Sequence, residues 1–387
     1  MTKNNRRYFV ENITSNFTNL PYRALLYHKT EPFNNPNSIS TYTHTNLWEI
    51  VDMVRVLNRH GFIVDIVDRT SDTFSPKDKY DLFIGLGAGN SGKYFIKYAQ
   101  QMPHAIKIIL AAGPEPTLSN QLVLEQYQRF YYRTGINAPP MRLTDKINFN
   151  EVIKFSDYIF CYGEIDQFAC ESYSCYNVPV FPIMPGTNPN IQFLPSWLKM
   201  RRRNHFLCFA GNGFICKGVD LVVEAFLQMP DCILTICGPS DEKAFFDTYG
   251  KRIADSPNIQ YVGFLQVAGD KFAQLCSDCS FVIFHSSSEA CSTSVATVMS
   301  AGLVPVINPE TGISVGDFGF LMINKDDRIT DIMNTVRKVI LMDQNEYTRR
   351  VYGTLSDSLK YTQSSFTESF TRALLDVMQR EMNYQKK

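Results

Sequence analysis

Short apolar runs alternate with amphipathic stretches along nearly the whole chain. Runs at 24–28, 62–67, 81–86, 106–111, 157–161 and 178–181 are mostly apolar and bounded by polar or turn residues, the pattern of strands buried on both faces. Between several of them, 46–60, 93–102, 116–133 and 166–174 carry apolar residues at helical spacing. Asn46 with Glu49 three residues on fits a capping box, and Gly61 fits a helix stop. This alternation predicts parallel α/β units joined by right-handed crossovers.

The pattern breaks at 182–203, which holds Pro182, Pro185, Pro189, Pro195 and a run of cations, Lys199, Arg201, Arg202 and Arg203. It then resumes with strands at 205–210, 232–237, 259–262, 281–284, 304–307 and 318–323. Helices are predicted at 217–229, 241–249, 268–276 and 293–301. The predicted architecture is two doubly wound, Rossmann-like domains. Residues 1–190 form the first, 191–204 a linker, 205–364 the second, and 365–387 a closing helix. Ligands of such sheets bind beyond the carboxyl ends of the strands, so the loops there carry the candidate chemistry.

Composition narrows the function. The 387 residues carry 38 basic and 38 acidic side chains, so no global basic field attracts a nucleic acid. No apolar run approaches the roughly 20 residues that span a bilayer, and the first residues lack the apolar core of a secretory signal. A cytoplasmic location is expected. The ten cysteines are scattered, most in apolar contexts where free thiols pack as small hydrophobes, and Cys276-Ser-Asp-Cys279 has no partner pair for zinc. The six histidines form no metal-binding pair, so no metal is expected. Trp197 beside the cations at 199–203 would allow peripheral contact with an anionic membrane, against the plainer reading of a solvated linker.

Two glycine-rich turns follow strands. Gly87-Ala-Gly89-Asn-Ser-Gly92 matches a dinucleotide fingerprint and most of a P-loop. Tyr94 stands where a P-loop needs Ser or Thr, and no acid ends the next strand before Glu115. A cleft-facing turn is the simpler reading, with an NAD-dependent enzyme as the alternative. The second turn, Gly211-Asn212-Gly213 leading to Lys217-Gly218, ends a strand with glycines and opens a helix with a cation suited to phosphate. Downstream, Glu289 precedes Ser292, Thr293 and Ser294, whose hydroxyls and N–H groups would start a helix and favour an anion.

The order of these pieces resembles the C-terminal domain of family-4 glycosyltransferases, which have the GT-B fold. The resemblance runs through Lys217-Gly218 and residues 219–226, then 234–238, 259–264, the serine–glutamate loop, and 299–307. More weakly, 43–49 and 59–65 look like the first helix and second strand of the acceptor-side domain. The resemblance implies two Rossmann-like domains across a cleft, with the last helix crossing back to the first. It implies a retaining transfer of a hexose-type sugar from a nucleotide sugar, UDP- or GDP-linked, without metal or cofactor. The acceptor would be a saccharide or lipid-linked saccharide, as in polysaccharide synthesis.

Residue by residue, Lys217 would bind the donor diphosphate, Glu289 the transferred sugar, and N–H groups near Ser292, Thr293 and Ser294 the phosphates. Gly263-Phe264 would lie beside the base. On position, His44, Gly87, Gly89, Glu115 and Asn120 are candidates for the acceptor side of the cleft. Three departures stand out. Asn212 replaces the family's usual arginine, Thr297 replaces its second glutamate, and no histidine ends the strand near 109–113. A sugar-nucleotide-binding protein without catalysis is therefore the alternative within the same fold.

Overall fold

The computed structural model describes residues 8–34, 45–76, 79–144, 148–267 and 269–384, and organises them round two sheets. The first contains β1 (Phe9–Ile13), β2 (Tyr22–His28), β3 (Phe62–Asp68), β4 (Leu82–Leu86), β5 (Ile106–Ala111), β6 (Tyr158–Tyr162) and β7 (Val180–Ile183). Their spatial order is β1-β3-β2-β4-β5-β6-β7, parallel except for β1, which runs antiparallel along β3. The second contains β8 (Arg202–Phe209), β9 (Ile233–Cys237), β10 (Ile259–Gly263), β11 (Cys279–Phe284), β12 (Val304–Ile307) and β13 (Phe320–Leu321), in the order β10-β9-β8-β11-β12-β13. Both are Rossmann-like, with helices in the crossovers. Every central strand is buried along its inner length, which is why the sequence shows continuous apolar runs rather than alternation.

Several local expectations shift. Strand β1 was not foreseen, because its Asn-rich surroundings hide a half-exposed antiparallel edge. Pro182, where the strand–helix pattern breaks, lies inside β7; that strand is at the sheet edge, where a residue without an N–H is tolerated. The helix Thr45–Arg59 begins before Asn46, so the expected capping box does not form. Glu49 instead points inward, accepting from Tyr162 Oη at 3.0 Å and from the Gly186 N–H at 3.2 Å.

The basic run near 200 is not a solvated patch. Arg201 is buried and donates to the carbonyls of Cys276, Ala301 and Gly302. Arg203 donates to the Met342 carbonyl and lies over the Tyr347 ring. Trp197 is buried as well. Of this run, Lys199 and Arg202 remain exposed. No helix among the described residues is long and apolar enough to cross a membrane.

Two helices tie the domains together. The helix Pro116–Thr134 follows β5 of the first sheet, yet its Val123, Tyr127 and Phe130 join the hydrophobic cluster of the second domain. Around them runs a buried polar seam. Arg133 pairs with Asp220, the Gln126 amide donates to Asp220 at 3.3 Å, and Arg328 donates to Gln126 at 3.1 Å. Tyr127 Oη donates to the Glu242 carboxylate in a short contact. In the other direction, Phe366, Phe370, Leu374 and Val377 of the helix Gln363–Tyr384 pack into the first domain's core.

Burial pushes Glu49 up to about 7, against the pull of the Gly186 N–H, the Tyr162 hydroxyl and Lys29. An unfolded glutamate ionises near 4.3, so between that pH and about 7 the folded chain holds a proton that the unfolded chain has lost. Its contribution is therefore complete below the lower value and fades as pH rises through the upper one. Glu49→Gln removes this penalty while the Tyr162 hydroxyl turns to accept from the amide. The variant is expected to melt about 5 °C higher than the wild type at pH 8 and to match it at pH 4, read by circular dichroism. Equal melting at both values would show that Glu49 does not titrate there.

Candidate functional site

The strand order of the second sheet reverses between the parallel neighbours β8 and β11, and the loops leaving those two strands meet at their carboxyl ends, the expected crevice of a doubly wound sheet. Gly211, Asn212 and Gly213 follow β8, and a short turn delivers Lys217 and Gly218 to the helix Val219–Leu227. Gly218 has φ +65°, and a Cβ there would stand 2.0 Å from the His285 carbonyl oxygen. Glycine at 218 therefore lets the two loops touch. Ser287 completes the contact by donating its N–H and hydroxyl to the Cys216 carbonyl at 2.9 and 2.7 Å.

The far side of the 285–292 loop is held by residues 308–312. The Glu289 N–H donates to Glu310 O at 2.9 Å, Ser292 N–H to Thr311 O at 3.1 Å, and the Asn308 amide to Ser286 O at 2.7 Å. Its inner surface meets the first domain: Ser288 Oγ donates to Ser119 Oγ at 2.8 Å. A Cβ on Gly163, which follows β6, would come within 3.3 Å of Ala290 O.

This scaffold brings Lys217 and Glu289 into a direct ion pair, their side chains only 6% and 14% exposed. Burial would push the Glu289 carboxyl up, but the charges of Lys217 and Arg142, with hydrogen bonds from Lys217 and Ser286, together hold it below the usual glutamate value. Glu289 is thus a carboxylate at neutral pH. Burial drives the His285 imidazole down to about 4, so it is neutral and adds no charge. Two cations face one anion, leaving one net positive charge at the crevice.

Arg142 is the residue the sequence did not reveal. It belongs to the first domain, in the irregular stretch after the helix Pro116–Thr134. A Cβ built on Gly213 would lie 3.2 Å from Arg142 Cδ. Its own surface remains open to solvent although protein atoms crowd round it, as suits a side chain on a cleft wall. The only sequence signal was the length of the stretch between that helix and the next at Phe149–Ile153, longer than most connections in a compact domain.

The remaining candidates separate. Ser292 occupies the N-cap of the short helix Thr293–Met299 without a side-chain capping bond, and its N–H is taken by Thr311. That leaves the first-turn N–H groups of Thr293 and Ser294, which have no carbonyl one turn back to bond. Thr297 is buried within the helix. Gly263 ends the edge strand β10 at φ +75°, and Phe264 beyond it is 66% exposed.

In the first domain, Gly92 packs against the Gly87 carbonyl, where a Cβ would stand 2.8 Å away, and Gly89 has φ +63°. These glycines serve a tight strand-to-helix turn. Glu115 is the N-cap of the helix Pro116–Thr134, accepting from the Leu118 N–H at 2.8 Å and from Tyr176 Oη at 2.9 Å, so both carboxylate oxygens are engaged away from the cleft. Asn120 accepts from the Thr144 N–H at 2.7 Å and anchors the stretch that carries Arg142. It also borders a groove of about 600 Å³ with Thr117, Gln121 and Gln128, which does not include Lys217 or Glu289. His44 lies outside the described residues.

No protein-family model matches the chain, and no curated protein does. Solved structures do match. Sucrose-phosphate synthase from Thermosynechococcus elongatus aligns over 92% of this chain and 99% of its own, with a TM-score of 0.65 at 13% identity. TarM aligns over 75% of this chain and 54% of its own, with a TM-score of 0.52 at 15% identity. The pneumococcal O-GlcNAc transferase GtfA, in complex with UDP and GlcNAc, aligns over 77% and 57%, with a TM-score of 0.51 at 15% identity. The chain has the GT-B fold.

The chain spans little more than half the length of TarM and GtfA, and nearly all of sucrose-phosphate synthase. Within the GT-B fold, the Lys217–Glu289 pair lies at the face of the second Rossmann-like domain that meets the first.

The two glycines of the Lys217 loop give a direct check of this geometry. Gly211 has only Lys217 Cε near its missing Cβ, at 3.9 Å, whereas Gly218 meets backbone at 2.0 Å. Gly218→Ala is expected to lose more than about 2 kcal/mol of stability in urea unfolding, and Gly211→Ala less than about 1 kcal/mol. Equal losses would show that the two loops do not touch as described.

Proposed function

We propose that the protein transfers a hexose-type sugar from a nucleotide sugar to a saccharide or lipid-linked saccharide acceptor, with retention at the anomeric carbon. The buried ion pair of Lys217 with Glu289 at the second domain's switch point carries this reading. Lys217 would neutralise the donor's diphosphate as the bond to the sugar breaks, helped by the N–H groups of Thr293 and Ser294. Glu289, held ionised, would accept hydrogen bonds from sugar hydroxyls and fix the ring. Phe264, exposed at the end of β10, would lie against the base. The reading needs no metal and no resident cofactor, since the nucleotide sugar is a substrate.

Glu289 holds Lys217 in place. A diphosphate, with more negative charge than one carboxylate, would take over that lysine and free Glu289 for the sugar. Because the pair is nearly sealed, the donor would enter as the domains part, and closure would then exclude water and limit hydrolysis. A retaining transfer needs no strong base at the acceptor hydroxyl if the leaving diphosphate takes its proton on the same face. Positioning and charge stabilisation then account for most of the rate.

A thermal-shift panel of UDP-, GDP- and ADP-sugars against NAD tests the donor class. One nucleotide sugar is expected to raise the melting temperature, and stabilisation by NAD alone would overturn the reading. With the donor so identified, Lys217→Ala is expected to weaken it about 10- to 100-fold, as loss of a charged hydrogen bond does. Glu289→Gln is expected to lower kcat of slow donor hydrolysis at least about tenfold with nucleoside diphosphate affinity retained. Proton NMR of the first sugar released should show the donor's own anomeric configuration; the opposite anomer would exclude retention.

A further inference from the structure

The site as proposed has one lysine where the family resemblance expects a lysine and an arginine, because Asn212 occupies the arginine's position. A nucleoside diphosphate carries more negative charge than one ammonium neutralises. Other arginines near the domain contact are engaged within the protein: Arg133 pairs with Asp220, and Arg328 bonds Gln126. Arg142 differs. Its guanidinium donates no hydrogen bond to any described residue, and its side chain runs alongside Gly213, on the loop that delivers Lys217.

The backbone of Arg142 is held there at some cost. Its φ is +65°, a left-handed conformation that non-glycine residues adopt rarely and that clusters at functional sites. The residues on either side are pinned: the Met141 N–H donates to Tyr127 Oη at 3.1 Å, and the Thr144 N–H to Asn120 Oδ1 at 2.7 Å. Tyr127 in turn donates to Glu242, whose other oxygen accepts from the Ile215 N–H at 2.8 Å. One carboxylate therefore ties the Arg142 stretch and the Lys217 loop into a single unit. The glycine at 213, with φ +86°, leaves open the path that the arginine follows.

From this arrangement we infer that Arg142 is a substrate-binding residue: a stretch of the first domain, tied to the Lys217 loop, supplies the second cation that holds the donor's diphosphate. Its guanidinium offers the planar fork that suits a phosphate, in the position Asn212 leaves uncharged. The same charge stabilises ionised Glu289. The inference rests on the nucleotide-sugar reading above and adds to it a residue, a domain and a chemical partner.

The test compares UDP, GDP and ADP with uridine, guanosine and adenosine by titration calorimetry. The wild type is expected to bind one diphosphate well above its own nucleoside. Arg142→Ala is expected to weaken that diphosphate about 10- to 100-fold while nucleoside affinity stays within about twofold, with Arg142→Lys in between. A purely structural role would weaken both ligands together or neither, and either result overturns the inference while leaving Lys217 and Glu289 in place. If the wild type binds no diphosphate in preference to its nucleoside, the nucleotide-sugar reading itself fails, and the inference with it. Arg142→Gln, which keeps the side chain's length, repeats the comparison should the alanine variant melt early.

Discussion

The Glu242 carboxylate is the point on which the arrangement of the site turns. It lies in the second domain, buried, with one oxygen bonded to a tyrosine from the first domain and the other to the N–H of Ile215 in the Lys217 loop. Burial raises its pKa, and the hydrogen bonds from Tyr127 and Ile215 work against that rise. Burial and the neighbouring carboxylate push the Tyr127 hydroxyl well up, so it remains a donor. A buried carboxylate deprived of one such partner costs several kcal/mol, far more than a surface contact of the same length. The domain contact and the loop geometry are therefore maintained together.

The rest of the second domain supports the same few atoms. Parallel strands end together, so the loops after β8 and β11 emerge side by side at the point where strand order reverses. Two residues without side chains let backbones approach there: Gly218 against His285, and Gly312, where a Cβ would stand 2.0 Å from Ala290 O. With the loops locked, Lys217 and Glu289 meet with little freedom to turn away. Buried ion pairs contribute little net stability, because desolvation offsets much of their attraction. A pair at this position therefore fits a requirement for charge better than a requirement for stability.

Much of the fold was legible in the sequence for a simple reason. Strands buried on both faces leave continuous apolar runs, and the β4, β5, β8, β9 and β11 runs are of that kind. Exposed or very short elements, β1 and the two-residue β13, leave no such trace. That Lys217 and Glu289 lie at the same end of the second sheet was legible, since each follows a strand and precedes a helix; their ion pair was not. Charge was the least legible property. Arg201 looked solvated but reaches three carbonyls, Glu115 looked available but caps a helix, and Arg142 gave no motif at all. What a charged side chain does depends on what folds against it, which local sequence does not encode.

Placing the second cation on the first domain changes what donor binding does to the protein. Were both cations on the second domain, a diphosphate would bind equally well whether the domains were together or apart, and binding would not shift that equilibrium. With Arg142 on a first-domain stretch that Tyr127 and Glu242 tie to the Lys217 loop, the additional affinity would exist only while the domains hold that contact. By linkage a diphosphate held as proposed would favour the closed form by that same amount, about a factor of 10 to 100 for one charged hydrogen bond. The closed form is also the one that excludes water from the reacting centre. On the proposed reading, a left-handed arginine in a loop pinned through Tyr127 and Asn120 would make closure conditional on the phosphate charge it meets.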